Sequence, residues 1–278
     1  MQAKTILTVL AGDQQPEDLD PAIEFCRENE AHLSVYLISA SPPPPTLTYG
    51  GLPADVWVQA VDEARSEIAE RSEAVEAHLQ RAEITCDVAY ELTPSSLIDD
   101  EVGRRARYTD MTLLVSSEGE DAALKHHIIG GALFESDRPL LLLNKDQASF
   151  KNPKTVMIAW DASREASKAV HASIGLLKTA DDVRLVLVDP EPVKSGHGPE
   201  PGSDMATYLA RHGVKVTVDR IAGAGRGVYT TLIQHAGDHS ADLIIMGGYG
   251  HSRLRERVFG GMTESMLQQS GFPVLMMH

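Results

Sequence analysis

A glycine-rich segment near the end of the chain has residue types that suit phosphate binding. Gly247 and Gly250 follow an apolar run, and the pair Gly260-Gly261 opens a helical pattern. Glycines let the backbone turn with positive φ and approach a ligand closely, and the first amides of a helix attract anions. Three arginines add positive charge within the segment: Arg253, Arg255 and Arg257. By composition alone, a flexible turn in a solvated basic loop fits equally well.

Two histidines, His235 and His239, lie four residues apart in a helical pattern and could share one face of that helix. A zinc site with this spacing also needs a third ligand, or the glutamate that stands between the histidines of metalloproteases. Neither is visible nearby in the sequence. We therefore predict no metal site from these two residues.

The remaining candidates for chemistry are weaker. Residues 223–227 read Gly-Ala-Gly-Arg-Gly after an apolar run, but they lack the GxGxxG spacing of a dinucleotide loop. We interpret them as a tight turn with at most an edge role beside a ligand. No Ser/His/Asp or Cys/His set is suggested by spacing, so the sequence predicts no catalytic residues.

The elements that must position the glycine-rich segment alternate between short apolar runs and helical patterns. Continuous Val/Ile/Leu runs separated by helices indicate a parallel sheet buried on both faces. In the C-terminal half, Ser163 is a natural helix N-cap and Gly213 a natural helix end. The predicted strands there lie near 154–160, 182–188, 215–221, 241–247 and 273–277, and the helices near 163–178, 202–212, 227–239 and 260–270.

The same order of segments occurs twice. Four stretches match in sequence: 4–10 with 154–160, 108–115 with 240–246, Gly130-Gly131 with Gly260-Gly261, and 139–143 with 273–277. The chain is therefore predicted to be α/β, with two tandem open, doubly wound, parallel five-stranded sheets. The predicted domains are 1–147 and 152–278, and a long helix is expected near 55–81 of the first.

Charge and composition exclude several classes of protein. The formal net charge is −15, which opposes binding to nucleic acid. Residues 1–150 carry 27 acidic against 11 basic residues, whereas residues 151–278 carry 13 against 14.

No apolar run is long enough to suggest a membrane span, and Met1–Lys4 leads directly into a predicted strand without the pattern of a secretion signal. With only two cysteines, a cytoplasmic protein is the simplest expectation.

The complete pattern resembles the universal stress protein family, closely over residues 154–278 and more loosely over residues 4–145. That family's nucleotide loop is Gly-x2-Gly-x9-Gly-Ser/Thr, between the fourth strand and the last helix, and Gly247, Gly250 and Gly260 have this spacing. The resemblance implies binding of an adenine nucleotide, ATP or AMP with or without Mg²⁺. It assigns the contacts to Ala159, Trp160, Asp161, Val188, Met246, Gly247, Gly250, Gly260, Gly261, Met262 and Thr263.

The sequence departs from the family pattern at one position of this loop. The Ser/Thr that follows the third glycine is Gly261 here, so a phosphate-binding hydroxyl is missing. Thr263, at a further contact position, is expected to compensate in part. The site is therefore predicted to be weakened rather than lost.

The first copy departs further. Residues 116–121 read Ser-Ser-Glu-Gly-Glu-Asp, which places three carboxylates where phosphate would lie. Ala11 replaces the aspartate that matches Asp161, and only Gly130-Gly131 is expected to survive from the loop. We predict no nucleotide site in this copy.

Two functions fit this sequence. The first is a stress-response protein controlled by nucleotide in the second copy, with slow ATP hydrolysis allowed but no residue evident as a general base. The alternative is a scaffold or chaperone-like interaction protein that binds no nucleotide. In both cases the last strands of the two copies are expected to pair within one chain, because short apolar edge strands need covering. Further association of two chains stays open.

Overall fold

The computed structural model describes residues 3–11, 14–44, 54–116, 122–144, 150, 152–191, 198–248, 261–269 and 271–278. The chain divides into two compact units, an N-terminal unit, Ala3–Arg138, and a C-terminal unit, Pro139–His278. Within the described ranges, no helix has both the length and the apolar character needed to cross a bilayer.

The N-terminal unit alternates strands with helices. Its strands are β1 (Thr5–Ala11), β2 (His32–Ala40), β3 (Cys86–Thr93) and β4 (Met111–Ser116), and its helices are α1 (Asp20–Asn29), α2 (Ala54–Ala82), α3 (Ile98–Ala106) and α4 (Ala122–Phe134). The four strands are parallel and lie in the order β3-β2-β1-β4. The helix predicted at 55–81 is confirmed as α2.

The C-terminal unit repeats this alternation. Its strands are β5 (Leu140–Asn144), β6 (Thr155–Ala159), β7 (Asp182–Val188), β8 (Val216–Ile221), β9 (Leu243–Gly247) and β10 (Val274–Met277), and its helices are α5 (Arg164–Leu177), α6 (Ser203–Arg211), α7 (Val228–Asp238) and α8 (Gly261–Gln269). Each of the five strands and four helices predicted between 154 and 277 is confirmed to within two residues at its described ends.

The sheet of the C-terminal unit is mostly parallel. Five parallel strands lie in the order β10-β9-β6-β7-β8, and β5 adds to β10 in the antiparallel direction. In this last pair Leu142 lies opposite Val274 and Leu140 opposite Met276. Both strands are almost entirely buried, so pairing removes two apolar edges from water.

In each unit an aspartate anchors the start of a strand, β1 in the N-terminal unit and β6 in the C-terminal unit. In the N-terminal unit, Asp110 Oδ2 accepts hydrogen bonds from the backbone amides of Lys4 and Thr5, at 2.7 and 3.0 Å. In the C-terminal unit, Asp242 Oδ2 accepts bonds from the amides of Lys154 and Thr155, at 2.7 and 2.9 Å. Asp110 thus ties the start of β4 to the start of β1, and Asp242 ties the start of β9 to the start of β6.

The match between the two glycine pairs is wrong. Gly130 and Gly131 lie well inside α4, where they are buried against α3, whereas Gly261 is the first residue of α8. A Cβ added at Gly131 would lie 2.4 Å from the carbonyl oxygen of Asp99 and 2.9 Å from Val102 Cβ. Close contact of two helices therefore accounts for these glycines, and they are not a remnant of a ligand loop.

Replacing Gly131 by alanine should destabilise the N-terminal unit by about 1–3 kcal/mol, because the methyl group would overlap backbone of α3 that cannot move aside. Trp57 lies in this unit and Trp160 in the other, so urea unfolding followed by fluorescence in a Trp160→Phe background reports the N-terminal unit alone.

Gly237→Ala provides a matched control. Gly237 also lies inside a helix, but a Cβ there would meet no described atom within 4 Å. Alanine should therefore be neutral or stabilising at that position. Equal tolerance of alanine at Gly131 and Gly237 would show that the contact between α3 and α4 does not require a glycine.

Candidate functional site

The carboxyl ends of β6 and β9 lie side by side. Ala159 pairs in register with Met246, the residue before Gly247, and Trp160 continues along β7 by donating its amide hydrogen to Val186 O at 2.9 Å. Strand β6 lies between β7, the next strand along the chain, and β9, which pairs with its other edge. Ligands of open α/β sheets bind at such a reversal of strand order.

Asp161 stands at the exposed end of β6. Its Oδ1 accepts a hydrogen bond from the amide of Ser163 at 2.9 Å, while its Oδ2 accepts none from any residue of the described ranges. The intervening Ala162 has φ of 60°, a left-handed conformation that is uncommon for alanine. This turn holds the aspartate in place at an exposed position.

Ser163 starts the helix that follows. It is the predicted N-cap of α5, and its Oγ accepts a hydrogen bond from the amide of Ala166 at 3.1 Å. Because a side-chain oxygen satisfies an amide that has no partner inside the helix, α5 begins at a fixed point just after Asp161.

Gly247 packs directly against the first turn of α5. A Cβ at this position would lie 2.4 Å from Ala166 N and 2.7 Å from the carbonyl carbon of Glu165. The position is half-buried, and its glycine is needed for packing between β9 and α5 whether or not a ligand is present. The close approach also brings the start of the glycine-rich segment next to the turn that holds Asp161.

The end of β7 is tied to the turn after β8. Val188, the last residue of β7, is half-buried, and the following Asp189 has φ of 45°. Asp189 Oδ1 accepts a hydrogen bond from the amide of Gly223 at 3.0 Å, and a Cβ at Gly223 would lie 2.6 Å from Asp189 Oδ2. The interpretation of residues 223–227 as a tight turn is confirmed, because Arg226 donates its amide to Gly223 O.

The left-handed residues Ala162 and Asp189 are the local features that sequence analysis missed. Ala162 lies three residues after the end of β6 and Asp189 directly after the end of β7, at the same edge of the sheet. Aspartate tolerates this conformation and offers a weak signal in sequence, whereas alanine offers none.

The last predicted contacts lie at the start of α8. Gly261 is exposed, Met262 is half-buried and Thr263 is only 5% exposed. Because Thr263 is buried, its hydroxyl has little access to a ligand and is a poor substitute for the hydroxyl that is missing at Gly261. Gly250 and Gly260, like the three arginines of the loop, lie outside the described residues.

The corresponding edge of the N-terminal unit is built differently. At the end of β1, the amide of Ala11 donates to Gln14 Oε1 at 2.8 Å, and Gln14 N donates to Ala11 O at 3.1 Å. Arg71 of α2 also donates to Gln14 O. The position of Asp161 is taken by Ala11, and the polar groups of Gln14 bond to the protein itself.

Chain length separates the two edges as well. Between β4 and α4 the sequence has residues 117–121, whereas between β9 and α8 it has residues 248–260. The shorter segment cannot contain the Gly-x2-Gly-x9-Gly spacing. The N-terminal unit therefore lacks the chain length needed for the loop, in addition to the mismatched residue types.

A family comparison covers the C-terminal unit. Residues 152–278 match the model of the universal stress protein family. This part of the chain is a universal stress protein domain. The match includes the Asp161 turn, Gly247 and the whole segment between β9 and α8.

Individual relatives agree with this assignment. The universal stress protein Slr1230 of Synechocystis is 26% identical over 171 residues, which cover 59% of this chain and 56% of the relative, so the match spans little more than half of that protein. The stress response protein NhaX of Bacillus subtilis is 27% identical over 126 residues, or 45% of this chain and 72% of NhaX.

The fold is shared with a solved universal stress protein from Archaeoglobus fulgidus. It aligns with a TM-score of 0.64 and 17% identity, covering 99% of this chain and 96% of that one. The α/β architecture with a mostly parallel sheet is therefore that of universal stress proteins across both units.

Proposed function

We propose that the universal stress protein domain binds an adenine nucleotide, ATP or AMP with or without Mg²⁺, as part of a cytoplasmic stress response. Nucleotide would contact the ends of β6, β7 and β9 and the segment that leads into α8. Binding would favour one arrangement of residues 247–263 and so change the affinity of a partner surface, since a ligand shifts a protein toward the state that it binds best.

The observation that carries this proposal is the register of two strand ends: Ala159, two residues before Asp161, pairs with Met246, the residue before Gly247. Oδ2 of the exposed Asp161 is suited to accept a hydrogen bond from a ribose hydroxyl. Gly247 begins a segment of the length and glycine spacing that the family uses for phosphates, and α8 begins at its end. Helix N-termini favour phosphate, so both ends of a nucleotide have suitable groups.

Nucleotide is proposed for the C-terminal unit alone. Ala11 stands where the C-terminal unit has Asp161, and five residues are too few for the phosphate loop. The acidic balance of residues 1–150 also disfavours an anionic ligand there. In this proposal the N-terminal unit is a duplicated copy that has lost the ligand.

Calorimetric titration of ATP with magnesium into the purified chain tests this function. We expect saturable binding of one nucleotide per chain, or adenine nucleotide that remains bound through purification and is released on denaturation. If no binding is seen up to millimolar ATP and no nucleotide remains bound through purification, the scaffold function is favoured instead. Gly261 and the acidic N-terminal unit make the scaffold the main alternative.

Replacing Asp161 by alanine should weaken ATP binding by about 1.5–3 kcal/mol, or roughly ten- to more than a hundredfold, because a hydrogen bond to a charged group is lost. Asp181→Ala is a suitable control, since that exposed carboxylate precedes β7 at the opposite end of the strands. Calorimetry should show unchanged affinity for the Asp181 variant. Equal affinities for both variants would remove Asp161 from the site.

A further inference from the structure

Three side chains with metal-binding atoms converge between β8 and α7. Asp219 lies on β8, His235 lies in α7, and His239 is the residue that ends this helix. His235 Nε2 is 2.9 Å from Asp219 Oδ2, and the two histidine rings have their centroids 4.5 Å apart. One ligand atom from each of the three residues lies within 4.8 Å of the others.

We propose that Asp219, His235 and His239 form a binding site for a divalent transition-metal ion of the zinc class. Imidazole nitrogens and a carboxylate oxygen are the ligands that zinc takes in proteins, besides cysteine. Three protein ligands leave a fourth position for water. All three residues are half-buried, so water can reach the site.

The sequence contains the two histidines at the right spacing but conceals the third ligand. Asp219 is sixteen residues before His235 and belongs to a strand. Only the packing of α7 beside β8 brings its carboxylate to the histidines. The prediction that no metal binds here depended on a missing third ligand, and the fold supplies one.

The carboxylate of Asp219 has a second hydrogen-bond partner besides His235, the guanidinium of Arg184. The bond from Arg184 Nη1 to Asp219 Oδ2 is 2.8 Å long, and Arg184 Nε bonds to Asp182 at 2.9 Å. An outer residue of this kind fixes the orientation of a ligating carboxylate.

Metal binding here exchanges a hydrogen bond for coordination. His235 Nε2 and Asp219 Oδ2 share a proton at 2.9 Å, and a metal ion between the two groups would take its place. The exchange would link the end of α7 directly to β8, which is the last strand of its sheet. A bound ion is therefore expected to stabilise this edge of the C-terminal unit.

The cluster is separate from the proposed nucleotide site. His235 and His239 are at the C-terminal end of α7, whereas nucleotide is proposed to bind where the strands end and where α7 begins. Zinc binding should therefore be unaffected by Asp161→Ala.

The test is a titration of Zn²⁺ into the full chain, stripped of metal with a chelator, in competition with a chromogenic zinc indicator. The wild type should bind one Zn²⁺ ion per chain at this site, with higher affinity than at any other site of the protein. His239→Gln should weaken this binding by roughly 10- to 100-fold or more, the range seen when even an outer partner of a metal ligand is lost. His235→Gln should act in the same direction.

His212→Gln is the matched control. His212 ends α6 as His239 ends α7, and its ring contacts Tyr208 rather than another metal-binding group. Co²⁺ should give visible absorption bands in the wild type and in His212→Gln that are absent in His239→Gln. Identical Zn²⁺ titrations for the wild type and His239→Gln would overturn the proposal and leave Arg184, Asp219 and His235 as a purely structural ion-pair network.

Discussion

Replacing Gly247 by alanine should destabilise the C-terminal unit by about 1–3 kcal/mol. The added Cβ would lie 2.4 Å from Ala166 N, 2.7 Å from Glu165 C and 2.9 Å from Glu165 Cβ. Two of these atoms are backbone of the first turn of α5, which Ser163 fixes by capping. Neither a rotamer change nor a small shift relieves such an overlap, so β9 and α5 must separate.

Unfolding in urea, followed by fluorescence, measures this effect. In a Trp57→Phe background the remaining tryptophan, Trp160, directly follows β6 and reports the C-terminal unit. Gly261→Ala is the matched control, because Gly261 is exposed and a Cβ there meets no described atom within 4 Å. We expect the urea concentration at the midpoint of unfolding to fall in the Gly247 variant. In the Gly261 variant it should equal or exceed that of the parent protein. The reverse order would refute the packing role of Gly247.

This packing role changes how the glycine motif is interpreted. The first glycine of the loop is explained by contact between β9 and α5 alone, so its presence does not by itself indicate a ligand. A nucleotide site is therefore supported by the features that packing does not explain. These are chiefly the exposed carboxylate of Asp161 and the length of the segment between β9 and α8.

Local sequence patterns predicted most of the fold. Continuous apolar strands and capped helices carry their signal within a few residues, and the strand β7 and the long helix α2 follow the predicted bounds closely. The edge pairing of β5 with β10 also follows from local apolar character combined with the cost of exposed edges.

The errors arise where distant contacts decide the role of a residue. Gly130-Gly131 looks like Gly260-Gly261 in sequence, yet its purpose is set by Asp99 and Val102 on another helix. The hydrogen bond between Asp219 and His235 is invisible in the sequence for the same reason, since a strand and the following helix meet only after folding. Periodicity and spacing within one element contain no information about such contacts.

Replacing Gly261 by serine should tighten ATP binding by about 1.5–3 kcal/mol, or roughly ten- to more than a hundredfold. The serine would restore the hydroxyl that the family pattern has directly after its third glycine. Gly261 is exposed at the start of α8, and the described residues leave room for a side chain there. The new hydroxyl can therefore bond to phosphate beside the first amides of the helix, without displacing protein groups.

Gly261→Ala separates the hydroxyl from the other effects of losing a glycine. Alanine adds the same Cβ and favours the helix to a similar or greater extent, but it cannot donate a hydrogen bond. Calorimetric titration of ATP should therefore show a gain for serine and little change for alanine. A gain of equal size in both variants would mean that ordering of α8, rather than contact with phosphate, limits affinity. No gain in either would place the phosphates away from α8, and only the Asp161 end of the proposed site would then remain.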